Sequence, residues 1–121
     1  MSALEKIRER YAKTEVVVDA LGRKIRVRKL DGAQRLTVRE WTDSNREDVI
    51  LHLILGASVQ AIDDIPIPFP KSRDVLNGTL RTLDDEGIMA VADAYQRFND
   101  NKTEEEKVEE AKKSQGIPSF E

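Results

Sequence analysis

Residues 58–70 read SVQAIDDIPIPFP. Prolines 66, 68 and 70 fix φ and remove three backbone donors, so the stretch is neither helix nor central strand. Ser58–Ile62 suits a short strand, Asp63-Asp64 a turn and Ile65–Ile67 a returning strand. Pro68 and Pro70 then end the pairing of a small hairpin. Ile65, Ile67 and Phe69 are held in an extended, polyproline-like run. Such a rigid apolar strip packs or recognises and carries no catalytic group. Two readings stand: it contacts another chain, or it fills the domain's own core, for which a chain with only six aromatic residues has few large side chains to spare.

Upstream, residues 47–55 read EDVILHLIL, apolar nearly all the way round. That describes a helix enclosed by its own domain or one awaiting a partner surface. Asn45 or Asp48 is the expected cap at its start and Gly56 the expected stop. Further back, Asp31 is a good N-cap for a helix with Ala33, Leu36 and Trp41 on one face and Arg35 and Arg39 on the other. Before it, the β-branched run Glu15–Asp19 and the alternating run Lys24–Lys29, with Gly22 between them, predict a hairpin whose basic side faces out. Leu4, Ile7 and Tyr11 predict a short amphipathic helix with few apolar contacts to hold it.

Downstream, Ser72 caps a helix with the face Leu76, Leu80, Leu83, weakened by about 1 kcal/mol at Gly78. Another helix starts near Asp84 and aligns Ile88, Val91 or Ala92, Tyr95 and Phe98, with Asp84, Asp85 and Glu86 placed against the macrodipole. Beyond Asn99 the run NDNKTEEEKVEEAKKSQGIPSFE holds one Val among charges, then the small apolar motif Ile117, Pro118, Phe120. That motif suits a docking peptide or a ragged terminus. The expected fold class is α+β, mainly α: an N-terminal β-hairpin followed by a small helical domain with a short second hairpin. Its divisions are a short N-terminal helix over 1–14, one globular domain over 15–98, and a charged tail over 99–121 that is expected to be flexible.

At 121 residues the length suits one domain, burying roughly two thirds of its unfolded surface. Charged residues make up 36% of the chain, which points to a soluble protein. The absence of cysteine removes disulfides, thiolate metal sites and cysteine nucleophiles, and is compatible with a reducing cytoplasm. The longest apolar run, Val49–Leu55, is interrupted by His52 and falls far short of the roughly 20 residues of a membrane span. The charged N-terminus gives no sign of a signal peptide.

Net charge is −3, yet residues 1–29 hold nine Lys/Arg against four Asp/Glu, a balance of +5 that leaves −8 for the remainder. The basic hairpin, with Arg23, Lys24, Arg26, Arg28 and Lys29, could meet nucleic-acid phosphates. The alternative is a solvated outer strand face whose cations block edge pairing. The acidic whole and the lack of interleaved aromatics favour the second.

Enzyme chemistry finds little support. His52, the only histidine, sits among Leu51, Leu53, Ile54 and Leu55 and is expected to be a neutral, hydrogen-bonded packing residue. The adjacent carboxylates Asp63-Asp64 and Asp84-Asp85-Glu86 do not converge as a metal or acid/base site would require. Phosphate-binding glycine loops and zinc patterns are missing. No catalytic, cofactor-binding or metal-binding residue is therefore assigned.

LDGAQRL at 30–36, the apolar helix, SVQAIDDIPIPFP and LRTLDDEGIMAVADAY at 80–95 together resemble the tail assembly chaperones of long-tailed bacteriophages and prophages. The resemblance spans Leu30 to Phe98, and the chain departs from the pattern at Asp64, where glycine is common. It implies a mainly helical, non-enzymatic protein of the host bacterial cytoplasm, absent from the mature virion. It also implies binding to the tape measure protein, which it keeps soluble, and help in recruiting the major tail tube protein, with a homo-oligomer as one possible state. Candidate partner-binding residues are Ile65, Ile67, Phe69, Ile117 and Phe120. Alternatives are a phage tail structural or completion protein and a small nucleic-acid-binding regulator using the basic hairpin.

Overall fold

The computed structural model describes residues 2–100, and for Asp100 the backbone alone. In chain order the elements are α1 (Ala3–Ala12), β1 (Thr14–Val18), β2 (Lys24–Arg28), α2 (Gly32–Glu40), α3 (Glu47–Ala57), β3 (Val59–Ile62), β4 (Ile65–Pro66) and α4 (Arg73–Asp100). The fold is α+β, mainly α, as the sequence predicts.

The two hairpins expected as separate units form one antiparallel sheet of order β1-β2-β3-β4. Ile25 lies opposite Ile62, Arg26 opposite Ala61 and Val27 opposite Val59, with a register shift between Arg26 and Val27. That irregularity lets Val59 and Ile62, three residues apart, both be buried. A correction follows. The basic strand β2 blocks no edge pairing, because it is paired on both sides and the edges are β1 and β4.

Turn chemistry sets the hairpins. Gly22 has φ +83° in the first, where its amide donates to Asp19 O at 3.0 Å. In the second, Asp63 and Asp64 have φ 50° and 66°, the paired positive values of a tight two-residue hairpin turn. The Asp63 carboxylate accepts from the Lys24 amide at 2.9 Å, and the Asp63 amide donates to Lys24 O at 2.8 Å. The turn is thereby fastened to β2.

α2 opens on a reciprocal cap: Asp31 accepts from the Gln34 amide at 2.8 Å, and the Gln34 side chain accepts from the Asp31 amide at 3.0 Å. Its buried face carries Val38 rather than Ala33 and Leu36. Leu36 is exposed, since Trp41 packs from the Gln34, Val38 side. The expected caps of α3 are also corrected, because Arg46 occupies the N-cap without a side-chain bond and Asp48 pairs with Arg46 at 2.7 Å instead. Gly56 lies inside α3 and does not stop it. A Cβ there would lie 2.6 Å from Leu80 Cδ2 and 3.0 Å from Leu76 Cδ1, so this glycine permits the close approach of α3 and α4. The helix ends at buried Ser58, whose hydroxyl donates to Ile54 O at 2.7 Å.

Ser72 accepts from the Val75 amide at 3.3 Å and starts α4. The two helices expected on either side of Asp84 meet there without a loop, for Asp84 has φ 53° and ψ −167° inside an otherwise continuous run. Its residues enter two cores, and Leu83, just before the break, joins the one that the second half lines. Leu83, Ala90, Val91 and Ala94 join Val17, Ile25, Val27, Leu55, Val59 and Ile62 under the sheet. Leu76 joins Leu30, Val38, Ile50, Leu53, Ile54 and Ala57 between the helices. α1 buries none of its residues, in line with the few contacts expected of it.

Candidate partner-binding surface

The Ile/Phe/Pro strip does not present one face. Ile65 is 67% exposed, and β4 contributes only Ile65 and Pro66 to the sheet edge. Ile67 is half-buried against the core under the sheet, with its amide donating to Gln60 O at 2.7 Å. Phe69 is half-buried in the helical core, where its ring stacks on Trp41 with centroids 6.2 Å apart. Of the three, Ile65 alone is available to a partner. Ile117 and Phe120 lie outside the described residues.

A second surface escaped the sequence reading. The core residues Val17, Ile25, Val27 and Ile62 take the sheet face on which α3 and α4 pack, so the alternate residues face away. Across that outer face Thr14, Val16 and Val18 lie opposite Arg28, Arg26 and Lys24, and the row continues from Arg26 to Ala61 to Pro66. Val16 and Val18 are 42% and 66% exposed, Leu21 in the turn 63%. The signal was present in the run Val16-Val17-Val18, since strand alternation turns only the middle one inward.

The basic hairpin is partly internal. Arg23 donates to Thr82 O at 2.5 Å and Leu83 O at 2.6 Å, the two carbonyls just before the break at Asp84, while its Nε holds Asp19 at 2.7 Å. Asp19 is buried and also accepts from the Leu21 and Arg23 amides. Burial pushes its pKa up, but the hydrogen bonds from the Arg23 amide and guanidinium, the Arg23 charge and the Leu21 amide outweigh it. The carboxyl ends below its ordinary value. Arg28 turns inward as well, with Nη2 donating to Ala57, Val59 and Ile67 carbonyls at 3.3, 2.9 and 3.3 Å. Burial lowers its pKa. These two contacts correct the expectation of an outward basic side, which Lys24 and Arg26 alone retain within β2 and its turn.

His52 is exposed, contrary to the packing role expected of it, because α3 turns its Leu51, His52 side to solvent. Among the described residues, no group of three or more His, Cys, Asp or Glu side chains could hold a metal. No described helix is long and apolar enough to cross a membrane. What the surface offers is aliphatic contact flanked by cations. Compared with known proteins, the chain matches no family model, no curated protein and no solved structure.

Proposed function

We propose that this chain is a tail assembly chaperone of a long-tailed phage or prophage. In this reading it is a non-enzymatic protein of the host cytoplasm that binds the tape measure protein, keeps it soluble, helps recruit tail tube subunits and is left out of the virion. The observation that carries the binding role is the outer sheet face, where Val16 and Val18 stand exposed beside Arg26 and Lys24. Ile65 on β4 lies opposite inward-facing Ile62, so it is exposed at the sheet edge but is not part of this face, whose aliphatic groups are Val16 and Val18. A partner helix or strand with apolar residues would bury these groups, which is how a small protein shields another chain's hydrophobic segments. The sequence resemblance supplies the partner's identity, and the internal use of Arg23 and Arg28 supports protein over nucleic acid as that partner.

The test is co-expression with the tape measure protein of the same genome and affinity purification through a tag on this chain. A soluble complex is expected. A tape measure protein left in the pellet beside soluble, folded chain argues against the reading, and finding the chain in purified virions points to a structural component instead.

A further inference from the structure

We propose that β1 is the pairing edge of a twofold dimer, in which Thr14–Val18 of one copy runs antiparallel to Thr14–Val18 of a second and joins the two four-stranded sheets into one. The inference concerns the chain alone and goes beyond the tape measure reading, since it needs no other protein.

The two edges of the sheet are built differently. β4 is two residues long, and its Pro66 has no amide to offer a neighbour. β1 is five residues of Thr-Glu-Val-Val-Val, paired with β2 in unbroken register and free of proline and glycine. Its outward groups follow from β2. The Arg28 amide donates to Ser58 O at 2.9 Å and Lys24 O accepts from the Asp63 amide at 2.8 Å, so the alternate residues 24, 26 and 28 turn their backbone groups to β3. Ile25 and Val27 are left to bond Val17 and Glu15 across the first hairpin. The amides and carbonyls of Thr14, Val16 and Val18 therefore point away from β2 along the edge, where no described strand pairs with them.

The side chains agree with an open edge. Val16 and Val18 are 42% and 66% exposed. α4 does not close the edge, because it packs on the inner face, where Arg97 Nε lies 3.8 Å from Glu15 Oε1. That contact also answers for Glu15, an inward carboxylate of the kind that discourages pairing when it has no cation beside it.

A row of free amides and carbonyls is completed by another strand, and β1 fits its own copy in one register. With Val16 on the twofold axis, Thr14 lies opposite the second copy's Val18, and each of the three outward pairs exchanges two backbone bonds. Glu15 then faces Val17. Sliding the copies by one pairing step sets Glu15 against Glu15 in one direction and against Asp19 in the other, so like charge disfavours both neighbouring registers. In the central register valine meets valine on the outer face. The Arg26 residues, each opposite its own Val16, stand three strand spacings or about 14 Å apart, beyond the screening length of about 8 Å at physiological salt. The valines of both copies merge into one aliphatic band. A single strand pair is smaller than the roughly 800 Å² per partner of a stable interface, so the dimer is weak and concentration-dependent.

Sedimentation velocity of the full chain from about 10 μM to 1 mM should show a monomer–dimer equilibrium. Val16→Pro removes an outward amide, and Val16→Lys sets like charges on the twofold axis; each should raise the dissociation constant at least about tenfold. Val16→Lys changes an exposed side chain and should keep a cooperative melt, so it carries the test if Val16→Pro does not fold. The chain has no cysteine, which makes the register readable by single-site oxidation. Val16→Cys should crosslink to itself, because directly opposed residues lie about 5.5 Å apart. Val18→Cys should not, being displaced from its copy by four residues or about 13 Å, but it should crosslink when mixed with Thr14→Cys. A chain that stays monomeric at 1 mM, a dimer indifferent to both Val16 substitutions, or crosslinking by Val18→Cys alone as readily as by Val16→Cys overturns the proposal.

Discussion

The Asp19 carboxylate organises the first hairpin by accepting from two backbone amides and from Arg23, whose guanidinium continues to the carbonyls at the break in α4. Its folded pKa is depressed, so the stability it contributes is present above the unfolded value of about 3.9 and is lost as pH falls through the folded value. Thermal melts of the wild type should therefore steepen in their pH dependence below about pH 4, and Asp19→Asn should flatten that dependence; equal slopes would contradict the assignment. Arg23→Ala removes the cation that the described residues pair with this buried group and should cost about 3 kcal/mol. Asp64 is an opposite case, an L-residue at φ 66° where glycine pays no steric penalty. Asp64→Gly should raise the denaturation midpoint by about 0.5 to 1 kcal/mol of stability, and a loss would mean that the Asp64 side chain contributes a contact.

At the scale of elements, two glycines in helices are expected to respond to the same change with opposite signs. A Cβ at Gly78 meets nothing within 4 Å, so Gly78→Ala should stabilise by about 0.5 to 1 kcal/mol through helix propensity alone. At Gly56 the same gain is opposed by collision with Leu80 and Leu76, and a net loss of about 1 kcal/mol is expected by chemical denaturation. Both glycines look alike in sequence. Helix periodicity, caps at Asp31 and Ser72 and the Asp63-Asp64 turn were legible because they rest on neighbouring residues. Gly56 as a contact point was not, since its role depends on Leu80, twenty-four residues away. The exposure of His52 was hidden for a related reason: apolar neighbours in sequence surround a helical residue on the chain, while its spatial neighbours are set by which side faces α4.

The described residues form one four-stranded sheet with α3 and α4 packed on one face and two hydrophobic cores, one under the sheet and one between the helices. The joining of both hairpins was illegible because β2 meets β3 across more than thirty residues and through a register shift that no local pattern encodes. It also changes what the candidate site is. Phe69, stacked on Trp41, belongs to the fold, so Phe69→Ser should lower stability by about 2 kcal/mol or more in a thermal melt. Ile65→Ser should change it by less than about 0.5 kcal/mol. The reverse pattern would return the strip's contact role to Phe69. The candidate surface was not legible in the strip, whose Ile65 lies opposite inward-facing Ile62, and Val16 and Val18 emerged only once strand alternation had been seen against a covered inner face.

The most direct measurement is amide hydrogen exchange of the full chain, free and in complex with the co-expressed tape measure protein. Slower exchange in the complex at residues 14–18, with the Trp41, Phe69 region unchanged, is the expected result. A stable complex in which those positions exchange as fast as in the free chain would contradict the outer sheet face as the binding surface.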